Sequence, residues 1–300
     1  MVRFIIHLTF ANHELEKSGS WREESMRTKC INGALGIEIC DIDLNNIDDQ
    51  TKLDILELYN ENLVLLFRNQ DLKPEAQVNF SEFFGPVNTH PLKTRASVDG
   101  LPQVLILENQ PGRPGAPNDY WHSDISHSKT PPSATILHSL IVPEGRGDTM
   151  LCNMVSAYNN LSDNMKAMIH NLKALHSGMA TFQRSIATNS DARPIDKSEI
   201  KPPTAHPIVR SPEGTSQKAI FVNPHFTIEI EDVAAEESSW ILNRMYQIAT
   251  QPENIYRHQW HVGDVLIWDN RRTMHYAVRD YTEDMPRKLH RCTAQGEVPV

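Results

Sequence analysis

Cysteine is scarce in this chain and follows no pattern: Cys30, Cys40, Cys152 and Cys292 are spread over 300 residues with no C-x-x-C pair. A secreted disulfide framework and a cysteine-built zinc finger are thereby excluded, and reduced buried thiols in a cytoplasmic protein are expected. No run reaches the roughly 18 apolar residues of a membrane span, so no membrane partner is expected. The apolar start, Met1 to Phe10, contains His7 and lacks a small-residue cleavage site before the charged residues that follow; it does not read as a signal peptide. Positive charge is concentrated nowhere and the formal net charge is −9, which argues against nucleic acid as a partner. There is no His-Glu-x-x-His and no visible internal repeat.

With 39% hydrophobic residues the chain can bury one substantial core. Residues 1–29 read as a poorly ordered N-terminal extension and 30–300 as a single domain. Gly33 to Leu44 reads as a first strand, and Asp48 to Asn62 as a helix whose stripe is Leu53, Ile55, Leu56 and Leu58, with Asp48 or Asp49 as cap. Further strands are expected at 63–67, 104–107, 133–140, 149–153, 205–209, 219–222, 256–260, 265–268 and 288–293. Further helices are expected at 73–84, 163–172 and 234–250. Residues 181–203 are polar and aperiodic and suit a lid. Many short strands with a few flanking helices predict a mainly β protein, a double-sheet barrel or jelly roll.

The chemistry gathers in two places. A Pro/Gly-rich loop, 108–120, delivers Trp121-His122-Ser123-Asp124, the chain's only His-x-Asp. In a strand, residues two apart share a face, so His122 and Asp124 could both address one ion, although a lone His-x-Asp suits a surface loop equally well. Downstream, His275 opens a run that ends in Arg287 and Arg291, whose stems on one strand face would stand about 13 Å apart. Two imidazoles and a carboxylate match the facial ligand set of a mononuclear iron(II) oxygenase, and a guanidinium would hold an anionic cosubstrate. His258 and His261 read as ordinary residues near a strand end, and His127, His138, His170, His176, His206 and His225 lack supporting context. Arg271, Arg272 and Arg279 read as a solvated basic face.

Six motifs in order extend this reading: WHSD at 121–124, GDT at 147–149, HPIVR at 206–210, FVNPHF at 221–226, WDNRRTMHYAV at 268–278 and RKLHR at 287–291. Through them the chain, from Gly33 to Gly296, resembles the 2-oxoglutarate-dependent taurine dioxygenase (TauD/TfdA) family, which includes aryloxyalkanoate and alkylsulfate dioxygenases. The resemblance implies a double-stranded β-helix, iron(II), 2-oxoglutarate and O2 as cofactors and cosubstrates, and a homodimer or homotetramer. It implies His122, Asp124 and His275 as catalytic metal ligands, with Thr149 and Arg287 binding the cosubstrate. It implies Arg291 as the cation for the primary substrate's anionic group, with His90, Asn118, Phe182 and Phe226 around the substrate.

Two departures bear on the substrate. Lys93 stands where the taurine enzyme has a tyrosine, and Pro117 where it has an acid, so groups suited to a substrate ammonium are missing and Lys93 would repel one. The expected substrate is a small organic anion without a free amine: a sulfonate, sulfate ester, phosphonate or aryloxy or alkyl carboxylate. Hydroxylation would be coupled to decarboxylation of 2-oxoglutarate to succinate and CO2. Asp124 fills the ligand position that a halogenase of this type leaves to chloride. The competing readings are a non-catalytic anion-binding jelly roll and a metal-dependent hydrolase using the same three ligands.

Overall fold

Short runs rich in Val, Ile, Leu and Thr recur along the chain. In the computed structural model, which describes residues 26–89, 96–110, 118–179, 183 and 201–300, sixteen segments are strands. The chain runs through β1 (Thr28–Cys30), β2 (Ile37–Ile39), α1 (Asp49–Asn62), β3 (Val64–Phe67), α2 (Pro74–Ser81), β4 (Ser97–Val98), β5 (Leu101–Asn109) and β6 (Pro132–Ile141). It continues through β7 (Thr149–Asn153), α3 (Met154–Asn159), α4 (Asp163–Ile169), β8 (Lys173–His176), β9 (Thr204–Pro207), β10 (Val209–Arg210) and β11 (Ala219–Ile220). It ends with β12 (Thr227–Ile230), α5 (Ala235–Ala249), β13 (Ile255–His258), β14 (Val265–Asp269), β15 (Thr273–Ala277) and β16 (Arg287–Gln295).

An eight-stranded sheet in the order β1-β2-β3-β14-β6-β16-β5-β4 forms the principal layer, antiparallel except where β2 meets β3. Its strands β3 and β14 are apolar on both faces up to Trp268, as a sheet covered on both sides requires. On one face Leu65, Phe67, Ile136, Val265 and Ile267 pack under Ile55 and Tyr59 of α1 and Phe80 of α2. On the other, Val64, Leu66, Leu137, Leu266, Trp268 and Leu289 meet Leu151, Cys152, Tyr256 and Met274 from a three-stranded sheet, β13-β7-β15. The site lies between these two sheets.

Local chemistry sets the ends of α1. The Asp48 carboxylate accepts the Thr51 N–H at 2.7 Å, satisfying a free donor of the first turn. Leu63 then turns left-handed at φ 65°, and its N–H returns to the Tyr59 carbonyl at 3.1 Å. On α5, Ile241, Leu242, Met245, Ile248 and Ala249 are buried at helical spacing.

Several expectations need correction. The stretch 33–44 is not one strand: a three-residue β2 follows a turn, and its antiparallel partner β1 lies further upstream. The 205–209 stretch is divided between β9 and β10, and β8, β12 and β15 arise where no strand was expected. Arg271 and Arg272 do not form a solvated face: they are 7% and 0% exposed, folded back onto Asp269, whereas Arg279 is exposed. The expected 181–203 lid lies outside the described residues apart from Gln183 and residues 201–203. No helix among the described residues is long and apolar enough to cross a membrane.

Candidate metal and anion site

His122 and His275 are joined through the backbone before their rings meet. The His122 N–H donates to the His275 carbonyl at 3.0 Å and the His275 N–H returns to the His122 carbonyl at 2.8 Å, an isolated antiparallel bridge. His275 is carried by β15, which pairs with β7. After the bridge the chain does not continue as a strand; it enters a turn in which Ile125 takes φ 46°, so Asp124 reaches the imidazoles from a turn and not by strand alternation. The Ser123 hydroxyl pins that turn to the Thr273 carbonyl at 2.8 Å.

The three side chains converge. Asp124 Oδ1 lies 3.8 Å from Nε2 of His122 and 3.8 Å from Nε2 of His275. One ligand atom from each residue falls within 4.8 Å of the others, and all three residues are buried. The Tyr120 carbonyl, which can only accept, takes the Nδ1 proton of His122 at 2.9 Å and so leaves Nε2 with its lone pair. Burial pushes both imidazoles below their ordinary pKa, His275 well below, although Asp124 pulls the other way, so both are neutral as metal ligands must be. Burial pushes the Asp124 carboxyl up, but the Arg291 guanidinium, with the Thr135 hydroxyl bond, holds it well below the usual carboxylate range. Its Oδ2 lies 2.6 Å from Thr135 Oγ1 and 2.8 Å from Arg291 Nη2.

A cavity of about 220 Å³ is lined by both imidazoles and by Arg287, with Leu137, Trp268 and Leu289 also on its wall. Arg287 donates from Nη2 to the Gly147 carbonyl at 3.2 Å, and its guanidinium lies 5.8 Å from the Tyr281 ring. The nearby acids are committed elsewhere: Asp148 and Asp280 to Arg257, and Glu108 to Lys288. Among the described residues Arg287 has no ion-pair partner, and its buried Nε has no hydrogen-bond partner. Burial lowers its pKa from the ordinary value. A cavity-lining cation left this way is completed by an anion. Thr149, also on the wall, accepts the Trp260 indole N–H at 3.0 Å, which leaves its own hydroxyl proton available.

Of the other residues singled out in the sequence, Asn118 lines the cavity and accepts the Ala277 N–H on its backbone oxygen at 3.2 Å. Arg291 lines it as well. Phe226 packs edge-on to the His122 ring, centroids 6.4 Å apart, and is not among the described residues of the cavity wall. His90, Lys93, Pro117 and Phe182 lie outside the described residues. Among the described residues the three ligands are the sole cluster with metal-binding geometry, and His258 and His261 instead surround Asp264 with Arg68. Sequence reasoning missed Tyr120 and His225, whose rings stack at 3.8 Å beside His122, and also Thr135, Asn270, Trp260 and Trp268. For Asn270 and Trp268 a signal existed in the motif beginning at 268. Thr135 carries none, because strand register alone brings it to the site.

Known proteins share this arrangement of chain. The family model described as "Taurine catabolism dioxygenase TauD, TfdA family" matches residues 27–293. An alkylsulfatase of Acinetobacter baylyi is 33% identical, covering 92% of this chain and 86% of that protein. An alpha-ketoglutarate-dependent 2,4-dichlorophenoxyacetate dioxygenase of Cupriavidus pinatubonensis is 31% identical, covering 89% of this chain and 96% of that protein. The crystal structure of a taurine dioxygenase from Burkholderia xenovorans superposes with a TM-score of 0.77 at 31% identity, covering 92% of this chain and 91% of that one. AAD-2, solved with Mn(II) and N-oxalylglycine, superposes with a TM-score of 0.74 at 26% identity, covering 92% of this chain and 99% of that one. The matched span takes in both the His/Asp/His cluster and Arg287, and the chain belongs to the TauD/TfdA family of dioxygenases.

Proposed function

We propose that this protein is an iron(II)- and 2-oxoglutarate-dependent dioxygenase that hydroxylates a small organic anion, on a double-stranded β-helix formed by the two facing sheets. One observation carries the reading: a buried cluster of two imidazoles and one carboxylate, whose imidazoles line the same cavity as an arginine without a carboxylate partner. That donor set fits iron(II). It offers two nitrogens and one oxygen from one side and leaves the cavity side open. His122, Asp124 and His275 would hold the metal, which when bound supplies dioxygen activation coupled to decarboxylation of 2-oxoglutarate.

The residues of the chain do the rest. Arg287 binds the distal carboxylate of 2-oxoglutarate with its free N–H groups, and the Thr149 hydroxyl donates the proton left over from its bond with Trp260. Leu137, Trp268 and Leu289 supply apolar surface on the wall of the same cavity, against which the cosubstrate's methylene groups would pack. Arg291, already beside Asp124, faces the same cavity and attracts the anionic group of the primary substrate. In sequence Lys93 stands where the taurine enzyme has a tyrosine, and a lysine at that position would disfavour a substrate amine. Dioxygen, 2-oxoglutarate and the substrate C–H become succinate, CO2 and an alcohol. Where the new hydroxyl shares its carbon with a sulfonate, or with a sulfate-ester or ether oxygen, the product collapses to release sulfite, sulfate or an alcohol.

The cations on the cavity wall and relatives named for sulfate esters, sulfonates and aryloxy acids support this class of substrate. The test is succinate formation from 2-oxoglutarate in air and under argon, with alkyl sulfates, alkylsulfonates, phosphonates, aryloxy acids and taurine. Oxygen-dependent succinate with an amine-free anion, abolished in His122→Ala, is expected. Turnover that persists under argon, or full activity in His122→Ala, would overturn the assignment. Rapid sulfite release from taurine would overturn the amine-free specificity alone.

A further inference from the structure

We infer that Thr135, Asn270 and the indole N–H of Trp268 form a one-way hydrogen-bond relay that positions Asp124 to bind metal through one oxygen only. The inference rests on the proposed ligand set and concerns residues to which that reading gives no role in holding Asp124.

The direction of the relay is forced by chemistry. An indole N–H can only donate, and Trp268 Nε1 lies 3.0 Å from Asn270 Oδ1. The carboxamide is thereby fixed with its oxygen toward Trp268, where that oxygen also receives the Asp124 backbone N–H at 3.4 Å. The amide nitrogen then faces Thr135 and donates to its Oγ1 at 2.8 Å. With that lone pair used, the single hydroxyl proton of Thr135 goes to Asp124 Oδ2 at 2.6 Å. Thr135 is 0%, Asn270 1% and Trp268 2% exposed, so water does not compete for these bonds. Strand register builds the array: Thr135 on β6 sits opposite Trp268 on β14, and Asn270 follows at the strand end. The Trp268 ring also packs on His275, centroids 4.6 Å apart, so one indole braces two of the three ligands.

The consequence is asymmetric. Oδ2 is held by Thr135 and lies beside Arg291, while Oδ1 faces both imidazole Nε2 atoms. A carboxylate held in this way spends one coordination position on the protein, and three remain for a chelating oxo acid and dioxygen. Thr135, Asn270 and Trp268 are positioning residues, acting through Asp124.

The experiment titrates Mn(II) by electron paramagnetic resonance and records the visible spectrum of the Co(II) protein, both without cosubstrate. Thr135→Val, which keeps shape and removes the donor, is expected to weaken Mn(II) binding roughly 10- to 100-fold, the usual cost of losing a partner behind a metal ligand. It is also expected to shift the Co(II) bands as Oδ2 becomes free to bind. Thr135→Ser, which keeps the hydroxyl, is expected to restore both. Trp268→Phe, which keeps a ring against His275 but frees the Asn270 amide, is expected to show a smaller change in the same direction and gives an independent reading if Thr135→Val does not fold. Wild-type affinity and spectrum in Thr135→Val, or in Trp268→Phe where it alone folds, would overturn the relay. Failure of the wild-type chain to bind Mn(II) at all would overturn the ligand set itself.

Discussion

Arg272 is fully buried and Arg287 half-buried on a cavity wall, and their surroundings are opposites. Arg272 and its neighbour Arg271 close onto Asp269 at 2.8 and 2.9 Å; Arg272 also donates to the carbonyls of Tyr59 and Asn60 and to Gln217. Arg287 has a single carbonyl, that of Gly147, and no acid. The first group is a finished structure in which each charge has its partner. The second is a cation without a protein counter-charge, the feature on which its proposed role in holding the cosubstrate rests, and the difference separates a cation committed to the fold from one open to a ligand.

That contrast can be broken by mutation. Asp269→Ala strands two buried guanidinium groups and should cost about 3–5 kcal/mol of stability in urea unfolding; a loss below about 1 kcal/mol would mean that the cluster is not what fixes the turn. Arg287→Met should leave stability unchanged or raised while weakening 2-oxoglutarate by about 2–5 kcal/mol in a calorimetric titration. Equal destabilisation by the two substitutions would erase the distinction. Gly147→Ala sharpens it: at φ 72° an added Cβ would stand 2.9 Å from Arg287 Nε, so the arginine must move. A loss of about 1–3 kcal/mol in 2-oxoglutarate binding, with Mn(II) affinity unchanged, is expected from the overpacking.

Acid separates the two groups least dramatically. Burial pushes the Asp269 carboxyl up, but Arg271 and Arg272 bring it down to about 2. A depressed carboxyl stabilises the fold above its unfolded pKa of about 4, and that contribution is lost as pH falls from there toward 2. Unfolding free energy should therefore fall across that window in the wild-type chain and fall less in Asp269→Asn; parallel curves would contradict the assignment.

How much of this was legible in the sequence differs from residue to residue. The start of α1 was readable because the Asp48 cap acts locally, whereas its expected stripe was partly misread: Leu53 is exposed, and Ile55 and Tyr59 form the buried face. The apolar runs 63–67 and 265–268 announced the central strands because both faces of that sheet are covered. His122, Asp124 and His275 were recognisable as chemistry, yet the geometry that joins them was not: strand alternation suggested itself, and a bridge followed by a turn does the work. Arg271 and Arg272 were misread because a charged pair in a sequence looks the same whether it meets water or Asp269, and only the reversal of the chain between β14 and β15 decides which. Thr135 was invisible for a related reason, since its role depends on the register of β6 against β14, about 130 residues away in the chain.

The reciprocal bridge between residues 122 and 275 has a kinetic meaning as well. Each amide is the other's lock, so the loop that delivers the first imidazole cannot lift away without exposing the N–H behind the second. Solvent exchange at these two amides should therefore proceed through one shared opening, and an ion gripping both rings would slow the pair in unison.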